Sequence, residues 1–142
     1  MIVRILISVL VLVPAAMLPA VPKVEDLRDL KTLQTQVQRV VLEQTETTVS
    51  LVSPTIGASG SGVIVSRDGL ILTAAHVIER SKEMTVIFPD GRQEKAKVLG
   101  ANFTRDAAMA KLIGPGPWPF AEVGDSRSLE IGDFVVAMGH PK

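Results

Sequence analysis

Two histidines occur in this chain, and the surroundings of one of them fit acid–base chemistry. His76 follows an apolar run and two alanines in LILTAAHVIE, residues 70–79. A positioned histidine is the commonest general base, because its charge changes closest to neutral pH. It then needs an acceptor that orients one ring nitrogen and a nucleophile at the other. Asp106 is the candidate acceptor, since it lies where a loop enters an apolar strand and the alanines after it leave space beside it.

The spacing of these two residues does not by itself decide their role. A histidine at a strand end is more often a structural residue, and an aspartate before a strand is more often a cap or turn residue. The elements that would hold the pair therefore matter.

After Thr45 the sequence changes to short β-type runs separated by turn residues. Turn sequences at residues 67–69 and 89–91 end in glycine and predict hairpins. Residues 114–120 are rich in proline and glycine and predict a surface loop. No long helical pattern interrupts the runs, so we predict a mainly β fold in which an antiparallel sheet curls into a small barrel. The predicted strands are 48–53, 61–66, 70–75, 84–88, 94–100, 107–113 and 133–139.

The first residues of the chain have the composition of an export signal. Residues 1–20 contain one positive charge, at Arg4, then an apolar run, then small residues and prolines, which is the layout of a signal peptide. The uncharged stretch 5–22 is 18 residues long and also just long enough for a membrane anchor, although Pro14 interrupts it. A cleaved leader and a retained anchor both stay open. In either case we expect the remainder to leave the cytoplasm.

A helix is predicted between the leader and the strands. From Val24 to about Glu43, apolar residues recur at intervals of three and four, which places them on one stripe of a helix. We assign residues 21–44 to a helical segment. It fits either a spacer that docks on the domain or a short coiled-coil or regulatory segment.

Composition excludes several classes of function. Lysine plus arginine and aspartate plus glutamate are equal at 15 each, so no overall field attracts nucleic acid. Cysteine is absent, which rules out disulfides and thiolate metal sites. Two histidines 64 positions apart match no zinc spacing, and we expect no metal and no cofactor.

The stretches GSGVIVSRDGLILTAAHVI and TRDAAMAKL resemble the amino-terminal half of trypsin-like serine endopeptidases, in particular the bacterial HtrA/Deg type. In that family Gly-Ser-Gly opens a strand and Thr-Ala-Ala-His presents the catalytic histidine, matching residues 60–62 and 73–76. The family's aspartate precedes a strand in an Asp-x-Ala context, matching Asp106, although Ala107 is smaller than the usual aliphatic residue there. Residues 132–141 resemble the start of the second barrel. The resemblance implies the first barrel of a two-barrel fold, with His76 and Asp106 as catalytic residues.

The resemblance also implies acyl transfer by a serine nucleophile in a Gly-x-Ser-Gly-Gly context after Asp106, and no serine of the chain has that context. Ser126 and Ser128 lack the surrounding glycines, and we reject both as nucleophiles. We also reject Ser59 and Ser61, which the resemblance assigns to a strand entry. We interpret His140, the other histidine, as a turn residue.

Together these observations lead to one interpretation and one alternative. We expect an exported serine endopeptidase, periplasmic or extracellular, truncated within its protease domain at residues 45–142 and inactive alone for lack of the nucleophile. Its partners would be polypeptide substrates and not nucleic acid, with a membrane contact only where the leader is retained. A homo-oligomer of the full-length protein stays open. The alternative is a non-catalytic exported β-barrel binding module.

Overall fold

The computed structural model describes residues 26–140. The leader expected at residues 1–20, and the first part of the predicted helical segment, residues 21–25, lie outside the described residues. In the described part, no helix has both the length and the hydropathy that crossing a bilayer requires.

Six antiparallel strands form a closed barrel in the order β1-β2-β3-β6-β5-β4. Each strand matches one of the predicted runs to within two residues at either end. The prediction of a small antiparallel barrel is therefore confirmed. The strands are β1 (Thr48–Val52), β2 (Ser59–Ile64), β3 (Leu70–Thr73), β4 (Glu83–Ile87), β5 (Gln93–Asn102) and β6 (Ala107–Leu112).

Alternate side chains of the strands fill the barrel interior, as the two-residue period of a strand requires. In β6, Ala108, Ala110 and Leu112 are buried, whereas the residues between them point outward. Small residues here leave room for the large side chains of the facing strands. The large apolar side chains that are fully buried are Val49, Leu51, Ile64, Ile71, Met84 and Val86.

The predicted turns and the predicted surface loop are present. Gly69 has a φ of +88° in the turn between β2 and β3, a conformation that glycine adopts without steric cost. The proline- and glycine-rich loop follows β6 and donates the backbone N–H of Trp118 to the Arg67 carbonyl at 3.0 Å. Trp118 is buried, and its ring stacks on Phe88 with 5.6 Å between centroids. The loop therefore contributes to the core, which the sequence analysis did not predict.

The helix α1 spans Leu27–Gln44 and begins at a capping box. The Asp26 carboxylate accepts the backbone N–H groups of Arg28 and Asp29 at 2.6 and 3.1 Å, and the Asp29 carboxylate accepts the Asp26 N–H at 3.4 Å. Asp26 has extended backbone angles, so the helix begins three residues after the predicted start at Val24. No residue of α1 is buried, so its apolar stripe does not join the barrel core.

The predicted seventh strand is wrong. Residues 133–139 have no strand structure and pair with no other strand. An apolar run of strand-forming residues needs a partner for its backbone hydrogen bonds, and the six-stranded barrel is already closed and offers no free edge.

Candidate functional site

His76 lies at the centre of a 3-10 turn, Ala75–Val77, that follows the end of β3. Its neighbours Ala75 and Val77 are buried in the core, at 0% and 4% exposure. Because both neighbours point inward, the imidazole projects outward, and 70% of its side chain is exposed. The small alanines before His76 thus let the chain turn sharply at the barrel wall.

Asp106 is the residue immediately before β6 and holds His76 at two points. Its Oδ2 lies 2.7 Å from His76 Nδ1, and its Oδ1 accepts the backbone N–H of His76 at 3.0 Å. Its backbone φ is +49°, a left-handed conformation that aspartate tolerates better than most residues. One carboxylate therefore orients the imidazole and also fixes the turn that carries it.

The barrel register explains why residues 30 positions apart meet. β3 and β6 are neighbouring antiparallel strands, and Thr73 lies directly opposite Ala108. His76 comes three residues after Thr73, and Asp106 comes two residues before Ala108. Since antiparallel strands run in opposite directions, both residues lie beyond the same end of this strand pair.

The two bonds set the protonation of the pair. Hydrogen bonds from His76 lower the pKa of Asp106 below its ordinary value of 3.8, the larger effect coming from the backbone N–H and the smaller from the imidazole. The carboxylate therefore stays ionised at neutral pH. An ionised carboxylate only accepts hydrogen bonds, so Nδ1 carries the proton. Nε2 makes no hydrogen bond within residues 26–140, and in the neutral ring its lone pair is free to accept a proton. This is the tautomer that a general base requires.

Two further contacts hold the turn against β2. A Cβ on Gly60 would lie only 2.4 Å from Val77 Cγ2, so Val77 packs where a glycine leaves space. The Thr73 hydroxyl donates to the Ser61 carbonyl at 2.8 Å. In the sequence these residues stand out only through the family resemblance, and their contacts are not predictable from it. No local pattern could reveal them, because each joins residues at least 12 positions apart.

The other residues considered from the sequence make different contacts. Ser128 donates its hydroxyl to the Asp125 carbonyl at 2.7 Å in a surface turn that also contains Ser126. Ser59 and Ser61 lie in β2, and the Ser61 hydroxyl accepts the backbone N–H of His140 at 2.9 Å. Within residues 26–140 no serine hydroxyl is hydrogen bonded to His76, and no three His, Asp or Glu residues are grouped as metal ligands.

More than half of the chain is similar to known proteins. Residues 60–142 match the family model of the trypsin-like peptidase domain. Over 82 residues, 58% of this chain, the sequence is 43% identical to a probable periplasmic serine endoprotease, DegP-like, of Halomonas elongata. Over 84 residues, 59% of this chain, it is 43% identical to serine protease HTRA1 of Xenopus laevis. The crystal structure of the serine endoprotease from Yersinia pestis covers 68% of the chain with a TM-score of 0.61 and 30% identity.

The matches cover a minor part of each relative. The aligned region spans 17% of the Halomonas protein, 18% of the Xenopus protein and 36% of the Yersinia chain. The family match at residues 60–142 extends over more than half of this chain and includes both His76 and Asp106. With a closed antiparallel barrel and a family match over more than half of its length, the chain belongs to the trypsin-like peptidase domain family.

Proposed function

We propose that this chain carries the histidine and aspartate of the catalytic triad of an exported serine endopeptidase. His76 acts as the general base, and Asp106 orients it. The observation that supports this most strongly is the two-point contact of one carboxylate with the Nδ1 and the backbone N–H of His76. A structural histidine needs only one partner, whereas a base needs a fixed ring and a fixed tautomer.

In the proposed reaction, His76 Nε2 removes the proton of a serine hydroxyl while the serine oxygen forms a bond to the carbonyl carbon of a peptide. The C=O π pair moves onto the carbonyl oxygen, and it re-forms the double bond when the leaving group departs. The imidazolium that results is stabilised by the ionised Asp106. It then returns the proton to the leaving amine as the peptide C–N bond breaks. Water repeats the same sequence to release the acyl group from the serine. Asp106 accepts no proton at any step.

The nucleophile in this proposal is not among the 142 residues. Ser126 and Ser128 lie in a charged turn, and Ser61 already accepts a hydrogen bond from the His140 backbone. We therefore expect the 142-residue chain to leave unfolded casein intact and to resist a fluorophosphonate probe. Covalent labelling of any of its serines would contradict this part of the proposal.

The catalytic role itself is tested in a chimaera. Residues 60–142 replace the matching segment of the Halomonas elongata relative, and casein hydrolysis is measured. Asp106→Asn should lower kcat by about 10⁴-fold, because the same change selects the wrong tautomer in the well-studied serine protease triad. His76→Ala should abolish base catalysis. Asp90→Asn is the matched control, since Asp90 accepts a backbone N–H in a surface turn and asparagine keeps that acceptor.

A folded but inactive chimaera would contradict the protease proposal and favour the binding module. Equal activity of the Asp106→Asn and Asp90→Asn variants would refute the role of Asp106.

We further propose export of the protein, with a leader at residues 1–20, a helical segment at 21–44 and the protease domain at 45–142. The bacterial relatives are named periplasmic, which supports this location, and polypeptides would be the substrates. Amino-terminal sequencing of the exported protein decides between cleavage after Ala20 and a retained anchor. Recovery in the cytoplasm with residue 1 intact would contradict export.

A further inference from the structure

Ser61 makes hydrogen bonds to two separate parts of the chain. Its backbone carbonyl accepts the Thr73 hydroxyl at 2.8 Å, three residues before His76. Its own hydroxyl accepts the backbone N–H of His140 at 2.9 Å, at the far end of the described residues. A single residue of β2 therefore contacts both the base of the His76 turn and the segment that leads away from the barrel.

The first contact compensates for the end of a strand pair. The ladder between β2 and β3 ends where Gly62 opposes Thr73, and the chain then leaves the sheet to form the His76 turn. Beyond Thr73, β3 has no residue whose backbone N–H could donate to the Ser61 carbonyl. The Thr73 hydroxyl donates to it instead. Val77, at the other end of the turn, packs against Gly60. The turn is therefore held to β2 at both of its ends.

The second contact joins β2 to a segment that lies outside the sheet. Residues 129–140 form no strand, and most of their side chains are exposed. Val136 and Met138 lie along a cavity that is also lined by Ser61 and Leu72. A Cβ on Gly139 would lie 3.1 Å from Ser61 Oγ, so the absence of a side chain there permits the close approach. The Ser61 hydroxyl therefore forms a direct hydrogen bond between this segment and the barrel.

We propose that Ser61 is a positioning residue that fixes the segment ending at His140 relative to the His76–Asp106 pair. This inference rests on the proposed function, in which the nucleophile comes from outside these residues. A general base works only within hydrogen-bond reach of its nucleophile, and a misplacement of about 1 Å lowers the rate by as much as about 100-fold. Ser61 is bonded both to Thr73, at the base of the His76 turn, and to His140, and these two bonds limit that misplacement.

Two variants of the 142-residue chain separate the two contacts. Ser61→Ala keeps the carbonyl but removes the hydroxyl, so exchange of the His140 amide, measured by NMR, should accelerate by about tenfold, the loss of one hydrogen bond. The Nδ1 proton resonance of His76 should not change. Thr73→Val should do the reverse, broadening or shifting the Nδ1 resonance while His140 exchange stays unchanged.

Rescue and control variants distinguish positioning from general stability. Ser61→Thr and Thr73→Ser keep the hydroxyl groups and should restore the parent behaviour. Ser59→Ala is the matched control, because the Ser59 hydroxyl makes no hydrogen bond within residues 26–140, and it should alter neither signal. Trp118 fluorescence verifies that each variant is folded.

In the casein chimaera, Ser61→Ala should lower kcat by about 10- to 100-fold with little change in KM, and Ser61→Thr should recover it. Unchanged His140 exchange in Ser61→Ala, or unchanged kcat in an active chimaera, would overturn the positioning role. An inactive chimaera in which both NMR effects are present would instead reject the proposed function, so the two failures are distinguishable.

Discussion

Replacing Gly60 with alanine would force a methyl group into space that Val77 occupies. The new Cβ would lie 2.4 Å from Val77 Cγ2 and 3.0 Å from Cγ1, whereas carbon atoms in contact prefer a separation of about 3.5–4.0 Å. Val77 or β2 must therefore move by about 1 Å. Overpacking of this kind destabilises a core by about 1–3 kcal/mol. Because Val77 follows His76 directly, the shift should also disturb the bond from His76 to Asp106.

The measurement is urea denaturation followed by the fluorescence of Trp118, the chain's single tryptophan, which is buried against Phe88. Gly100→Ala is the matched control, since a Cβ on Gly100 meets no atom within 4 Å, and its stability should change by no more than about 1 kcal/mol. Val77→Ala should remove the clash. The double variant should therefore be more stable, by about 1 kcal/mol or more, than the sum of the two single changes indicates.

Equal stabilities of the Gly60→Ala and Gly100→Ala variants would refute the steric argument. If the losses of stability in the two single variants simply added in the double variant, the destabilisation by Gly60→Ala would not arise from a clash with Val77.

Three other predictions concern the core, the helix and the site. Leu51 is fully buried, so Leu51→Ala should lower the free energy of unfolding by about 2–5 kcal/mol in the same urea assay, and a loss below about 1 kcal/mol would contradict its place in the core. Asp26→Ala removes the cap of α1 and should reduce helical circular dichroism, with the helix losing about 0.5–2 kcal/mol. Since α1 buries no residue, the midpoint of the Trp118 transition should stay unchanged, and a lowered midpoint would show that helix and barrel unfold together. The pKa of Asp106 is lowered in the folded state, so its contact stabilises the protein above the unfolded-state pKa of about 3.9 and loses effect as pH falls through the lower folded-state value. Asp106→Asn should therefore flatten the acid side of the stability–pH curve, and an unchanged curve would contradict the ionised carboxylate.

The barrel could be predicted from the sequence because its signals are local. Two-residue alternation, as in Ala108, Ala110 and Leu112, identifies a strand with one buried face wherever it occurs in the chain. Gly69 marks a turn for an equally local reason, its positive φ. The same local signals placed His76 and Asp106 at strand ends, although spacing alone did not distinguish a catalytic pair from two structural residues.

The features that were missed depend on contacts between distant residues. Residues 133–139 have the composition of a strand but meet no free edge within the described structure, so composition alone was misleading. Proline and glycine around Trp118 predict a surface loop, yet its ring stacks on Phe88, the residue directly after β4. The Ser61 contacts join residues 12 and 79 positions away, beyond any sequence window.

NMR of the His76 imidazole in the 142-residue chain tests whether Asp106 orients the ring as a general base. With both ring nitrogens resolved at neutral pH, we expect a proton on Nδ1, a strongly deshielded resonance for that proton, and loss of the resonance in Asp106→Asn. A neutral ring with its proton on Nε2 and none on Nδ1, or an Nδ1 resonance that is the same with and without the Asp106 carboxylate, would contradict this expectation.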